Sequence, residues 1–185
     1  MSSLATTILP FDFSDPENAA QSEALLDRAF GIGRQTKTSY RFREGEQPAD
    51  NLSLGIYLNS EGGRAGPGRL CAIISYWHLR IGREGHQALM LGPLAVEPDV
   101  QGKGMGRELM RHSLEKAKTL GHSLIILVGD APYYSPFGFV KVPEGRLHLP
   151  GPVEPGRLLY QELVSGAFEG VSGLVLSPSR HASRG

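Results

Sequence analysis

The chain has 185 residues, with 19 Lys plus Arg set against 19 Asp plus Glu, so its formal net charge is zero. That length suits one domain, residues 1–185, with a core expected over about residues 5–165. The charge balance argues against nucleic acid or an anionic membrane as a bulk partner.

The single cysteine, Cys71, excludes an intrachain disulfide framework and a cysteine-rich zinc site. It lies in an apolar run and reads as a small core residue, and no metal is expected. Met1–Pro10 shows no signal-peptide pattern, and no apolar run is long enough to span a membrane. A soluble, cytoplasmic protein is therefore the expectation.

Ala5–Leu9 is β-prone and reads as a first strand. Ser14-Asp15-Pro16-Glu17 is a helix start: Asp15 can cap, Pro16 suits the first turn and Glu17 suits the positive end. Ala20, Ala24, Leu25 and Ala29 ride on that helix, which ends near Gly31-Ile32-Gly33. Arg34–Arg43 is polar and basic, with Lys37, Tyr40 and Arg41, and reads as a solvated helix or loop. Leu52–Leu58 and Leu70–Leu79 read as strands, joined by a Gly-rich hairpin connection over Asn59–Gly68.

Ala88–Val96 is apolar on both faces, the pattern of a central strand. Gly92-Pro93 is out of place there, because proline cannot donate to a ladder and glycine weakens it. A bulge, or a parting of the strand from its next neighbour, resolves the conflict. Backbone groups freed near Leu94–Val96 then need partners, either a ligand or water.

After the turn Glu97–Val100 comes Gln101-Gly102-Lys103-Gly104-Met105-Gly106-Arg107, leading directly into a helix. Leu109, Met110, Ser113, Leu114, Ala117 and Leu120 recur at three- and four-residue steps and give that helix an apolar face, which Gly121 ends. The first amides of a helix lack internal partners and carry the positive end of its dipole. Here the flanking side chains are Lys103 and Arg107, with only Glu108 against them, and three glycines leave the backbone open. The pattern fits an anion such as phosphate at the helix end; it also fits a plain strand-to-helix turn with two solvated cations. It is neither a P-loop nor the dinucleotide string G-x-G-x-x-G.

Leu124–Val128 suits a buried parallel strand reached through the helix. Gly129-Asp130-Ala131-Pro132 then starts a short helix, with Asp130 as its cap and Tyr133 and Tyr134 on it. Phe139–Val142, Leu147–Leu149 and Leu158–Val164 follow as strands, Leu158–Val164 being the last, and residues 177–185 read as a frayed tail.

Three segments carry a resemblance. Gln101–Gly106 is similar to the Gln/Arg-x-x-Gly-x-Gly/Ala motif of the GNAT superfamily of acyl-CoA-dependent N-acetyltransferases. Leu94-Ala95-Val96 resembles the end of that family's fourth strand, and Tyr134–Phe139 its Tyr-x-x-x-Gly-Phe segment. Together they span about a quarter of the chain in the family's order.

The resemblance implies an α/β (α+β) fold with a mixed, mostly antiparallel sheet of six or seven strands. Strands four and five splay, and helices flank the sheet. It implies acetyl-CoA as acyl donor and an amine of a small molecule or protein as acceptor, with direct transfer in a ternary complex. A non-catalytic acyl-CoA sensor with the same fold is the competing reading.

By the same resemblance, Leu94, Ala95 and Val96 contact the pantetheine arm. Gln101, Gly102, Lys103, Gly104, Met105, Gly106 and Arg107 hold the pyrophosphate, and Tyr134 is the acid that protonates the leaving thiolate. Many members carry Asn before the tyrosine helix, where this chain has Gly129-Asp130-Ala131. No base is assigned: Glu97 can as well face solvent, and His78 and His86 flank the third and fourth strands. The segment after the first helix is expected to border the acceptor pocket, and Arg34, Lys37, Arg41 and Arg43 favour an acceptor with an acidic group. A homodimer paired through late strands is an open expectation.

Overall fold

The computed structural model describes residues 5–59 and 68–184. Strand β1 (Thr6–Pro10) is followed by helix α1 (Pro16–Phe30) and by two short 3-10 turns, Ile32–Thr36 and Thr38–Phe42. Strands β2 (Leu54–Leu58), β3 (Leu70–Ile81) and β4 (His86–Val96) form an antiparallel meander with β1. Helix α2 (Met105–Thr119) leads to β5 (Leu124–Val128), and α3 (Ala131–Tyr134) follows. The chain closes with β6 (Val140–Lys141), β7 (Leu147–His148), β8 (Leu158–Glu162), β9 (Gly173–Leu176) and α4 (Pro178–Ala182).

The main sheet runs β1-β2-β3-β4-β5-β8-β6, antiparallel at each step except β4–β5, which is parallel. This is the mixed sheet that the sequence implied. The hairpin connection expected at Asn59–Gly68 lies largely outside the described residues.

Both faces of β3 are covered, because successive strand side chains point to opposite sides. Ile74 and Tyr76 face α2, where they join Leu109, Met110 and Ala117. Ile73 faces α1, where it joins Leu25, Leu26, Tyr57 and Ala95. A third cluster continues along the sheet from Trp77, Leu79 and Met90 to Phe168, Val171 and Val175. The Tyr76 and Ser113 hydroxyls, 2.8 Å apart and buried, tie β3 to α2. Asp15 caps α1 by accepting from the amides of Glu17 and Asn18 at 2.8 and 3.3 Å, a contact worth about 1 kcal/mol.

The buried face of α1 is Ser22, Leu25 and Leu26. The structure corrects several sequence readings. Leu120, expected on the apolar face of α2, is 46% exposed. Asp130 precedes α3 but its side chain makes no capping bond; it faces Arg157 at 3.5 Å instead.

Leu158–Glu162 is not the last strand. Strand β9 pairs antiparallel with β3 at Arg80 and Ile81 and parallel with β7. Residues 177–184 are not frayed: α4 is fixed by Ser179 on Glu46, Arg180 on Glu44 and the His181 ring at Gly82 O. The ordered core therefore extends past residue 165, and the described sheet has nine strands.

Candidate active site

The sheet opens beside Gly92-Pro93. Strand β4 pairs with β5 only at Leu89 and Met90. Beyond them the two strands part. On its other edge β4 stays with β3, but the register jumps from Leu91 opposite Tyr76 to Leu94 opposite Ile74. Gly92 and Pro93, joined by a cis peptide bond, thus stand against Ser75 alone. The bulge is held by Trp77 Nε1, which donates to the Gly92 carbonyl at 2.7 Å. The parting expected from the sequence is therefore present.

Helix α2 begins at the far end of β4. Its first hydrogen bond runs from the Glu108 amide to the Gly104 carbonyl at 3.0 Å, so the amides of Met105, Gly106 and Arg107 lie at the open end of the helix. Gly104, the residue before the helix, is left-handed with φ 86° and supplies no side-chain cap. Gly102 is also left-handed, and a Cβ on either glycine would meet nothing within 4 Å. The glycines thus serve backbone geometry and leave an uncovered approach. Gly106 differs, because a Cβ there would sit 2.7 Å from Tyr133 Oη, so that hydroxyl lies over the helix end.

Two cavities meet at the splay. One, of about 710 Å³, is lined by Leu94, Ala95, Val96, Gln101, Gly102, Gly104, Met105, Gly106 and Arg107, with Tyr133, Tyr134 and Phe137 opposite. Of the residues that resemblance assigns to the donor, only Lys103 is outside this lining; it is exposed beside it. Gln101 Nε2 donates to the Val96 carbonyl at 3.3 Å, which satisfies one backbone group at the end of β4.

The other cavity, of about 510 Å³, lies on the opposite side of the opening. Its walls include Tyr40, Arg43, Gly92, Val128, Asp130 and Arg157. Phe30, Leu94, Tyr133 and Tyr134 line both cavities.

Tyr134 is therefore at the junction. Its ring stands edge-on to Tyr133 at 4.9 Å between centroids and to Phe139 at 5.9 Å. Burial, then the neighbouring Tyr133 and Asp130, pushes its phenol far above the ordinary tyrosine value, with Arg157 opposing. The hydroxyl thus keeps its proton at neutral pH. Burial also raises Tyr133, against the pull of Arg107.

Several expected participants lie elsewhere. Glu97 does not face solvent: its side chain is buried and holds Arg28 Nε at 3.0 and 3.1 Å from its two oxygens. None of the six histidines lines either cavity. His78 and His122 face each other 5.9 Å apart, and His86 pairs with Glu84 at 3.0 Å.

The basic segment is only partly solvated: Lys37 and Arg41 are exposed, and Arg43 is half-buried. Arg34 is buried, with Nε 2.9 Å from Asp27, Nη1 donating to Tyr40 Oη at 2.7 Å and Nη2 on Glu23. Arg41 donates to the Pro150 carbonyl. Sequence reasoning missed Phe30 and Arg157 as lining residues. An aromatic residue exposed just before the Gly31 helix stop was the available signal for Phe30; Arg157 gave none.

A mixed sheet parted beside an open, glycine-rich helix end, with a half-buried phenol at the gap, defines the acyltransferase class of this fold. The comparisons with known proteins agree. The profile of the "Acetyltransferase (GNAT) domain" matches residues 59–141. The uncharacterized N-acetyltransferase YjhQ of Escherichia coli is 30% identical over 131 residues, which cover 70% of this chain and 68% of YjhQ. The uncharacterized N-acetyltransferase YhbS of E. coli is 26% identical over 160 residues, covering 86% of this chain and 90% of YhbS.

The crystal structure of YhbS in complex with CoA superposes with a TM-score of 0.72, covering 100% of this chain and 95% of that one. The fold also matches a GNAT family acetyltransferase of Brucella melitensis in complex with acetyl-CoA, at 22% identity and TM-score 0.56, covering 90% and 100% of the two chains. The chain belongs to the GNAT family of N-acetyltransferases.

Proposed function

We propose that this chain moves an acetyl group from acetyl-CoA to a primary amine by direct transfer, with Tyr134 as the acid. The observation that carries this reading is the position of Tyr134, shared by the glycine-loop cavity and the cavity across the splay. YhbS, the relative matched over the whole of this chain, was crystallised with CoA, which supports CoA chemistry here.

The cavity fits the donor on its own terms. Gly102 and Gly104 leave the helix end bare, Met105–Arg107 offer amides, and Arg107 and Arg111 line the wall with positive charge. Leu94–Val96 present the edge of β4 that β5 has left. Acetyl-CoA supplies an acyl group already activated as a thioester.

The protein's own task is to hold amine and thioester in contact and to manage two protons. Across the splay, the second cavity admits the amine, and Phe30 and Leu94 form an apolar waist between the two sites. Tyr134 enters the reaction protonated and donates from Oη to the departing sulfur.

Calorimetric titration with acetyl-CoA, followed by thiol release over a panel of amines, tests this. Tyr134→Phe is expected to cut kcat by about a hundredfold with donor affinity kept, whereas Tyr133→Phe retains most of kcat. Absence of acetyl-CoA binding overturns the donor assignment. Donor binding with an unaltered kcat in Tyr134→Phe overturns the role of the phenol.

A further inference from the structure

The second cavity contains a cation that no carboxylate of the described residues pairs with. Four cations line it, Arg34, Lys37, Arg43 and Arg157, against two carboxylates, Asp130 and Glu154. Arg34 is spent on Asp27 and Glu23. Arg157 faces Asp130 at 3.5 Å and Glu154 at 3.6 Å. Lys37 is exposed, with its ammonium 5.0 Å from the centre of the Phe30 ring.

Arg43 is different. Its guanidinium lies 4.1 Å from the Tyr40 ring centre and 5.6 Å from that of Trp77. No carboxylate among the described residues stands within 4.0 Å of it, and its Nε is buried without a hydrogen-bond partner. Desolvation holds it below the usual arginine value, with the Tyr40 hydroxyl opposing.

A desolvated guanidinium without a carboxylate costs stability, and proteins seldom keep one unless something else supplies the charge. Here the rings of Tyr40 and Trp77 hold the guanidinium in place. Beside it is Gly92, where an added Cβ would touch Arg43 Nη2 at 3.6 Å and no other described atom within 4 Å, so no side chain of that strand residue covers the guanidinium. Gly92 is two residues before Leu94, which both cavities share. An anionic group on Arg43 would therefore lie in the cavity that Leu94 and Tyr134 also line. The volume, about 510 Å³, is that of a small-molecule site.

We propose that the acceptor is a small amino carboxylate, and that Arg43 binds its carboxylate through paired N–H donors. The proposal rests on the acetyltransferase reading and narrows its substrate class. It also replaces the broader basis that the sequence offered, since Arg34 and Arg41 are engaged within the protein.

The test uses the full chain saturated with acetyl-CoA. Thiol release is measured for the proteinogenic amino acids, β-alanine and 4-aminobutyrate, each beside its primary amide, with rates referred to the unprotonated amine. The acid is expected to exceed its amide by about tenfold or more in kcat/KM for the preferred acceptor. Arg43→Gln should raise KM for the acid by about tenfold, leaving KM for the amide and for acetyl-CoA in place; Arg43→Lys should recover part of the loss.

Equal use of acid and amide, or a matching loss on both in Arg43→Gln, overturns the proposal and leaves the acetyltransferase reading intact. If no amine turns over, the CoA-saturated protein is titrated with the N-acetyl amino acids and their amides. Failure to bind the acids more tightly overturns it equally. Absence of acetyl-CoA binding, measured separately, overturns the donor assignment and this proposal with it, an outcome distinct from equal use of acid and amide.

Discussion

The ring of Tyr134 rests against the α-carbon of Gly129, so closely that a methyl group on Gly129 would collide with the Tyr134 ring and crowd Leu127 as well. Gly129 does not have positive φ, so its lack of a side chain is a matter of space rather than backbone conformation. Its amide is held by the Arg157 carbonyl at 2.9 Å, which limits how far the backbone can yield. Gly129→Ala is expected to swing the phenol away from the junction and lower kcat about tenfold or more, with acetyl-CoA affinity changed little. Thiol-release kinetics beside calorimetric titration check this. An unchanged kcat would mean that the ring has no fixed post.

The pH profile should show only half of a bell. Burial holds the Tyr134 proton well above the ordinary phenol value of about 10. Its acid form therefore stays full through neutral and mildly alkaline pH. The rate should rise as the acceptor's ammonium loses its proton and then remain level to about pH 10, with no descending limb from the phenol. A fall in kcat between about pH 8 and 9 that is absent from the slow Tyr134→Phe background would contradict this.

Gly104 tests the helix end. Its φ of 86° is left-handed, so alanine there is strained by about 1–2 kcal/mol. The Cβ would also project into open space at the mouth of the donor cavity. Gly104→Ala should lower Tm by a few degrees and weaken acetyl-CoA binding by about tenfold, a loss larger than its effect on KM for the amine. Equal donor affinity in the variant would remove the helix end from the binding site.

How much of this was legible depends on how local each signal is. The strand, glycine loop and helix from Ala88 to Thr119 could be read because alternation, punctuation and helical period all lie within one window. Gly92-Pro93 signalled a bulge or a parting in β4 for the same reason: a missing N–H is visible in the sequence.

Arg34 could not be read. Its partners, Glu23 and Asp27, sit on α1, and only the turn at Gly31 brings them to it. Strand β9 was missed because its ladder to β3 is only two residues long. Its stability comes from burial of Val175 beside Phe168 and Val171, a contact that no short window contains. Tyr134 was singled out by resemblance; that it borders two cavities is a tertiary fact.

The C-terminal helix gives the last prediction. Glu46 accepts from the Ser179 amide at 2.9 Å and from the Ser179 hydroxyl, while Arg180 holds Glu44 at 2.6 Å alongside. Burial works to raise the Glu46 pKa, but the hydroxyls and amide from Ser179 and Ser177 outweigh it, and the carboxyl lies below the ordinary glutamate value. A carboxylate with a depressed folded-state pKa contributes stability above its unfolded value of about 4.3, and loses it as pH falls through the folded value. Docking of α4 should therefore fail in acid before the sheet does.

Hydrogen exchange, corrected for intrinsic rates, should show protection at residues 178–182 falling below about pH 4, with β3 still protected. Glu46→Gln keeps an acceptor but removes the charge. It should lower that protection at neutral pH and flatten its acid dependence. Protection of α4 that is independent of pH in the parent chain would place its anchorage on the His181 contact with Gly82 instead.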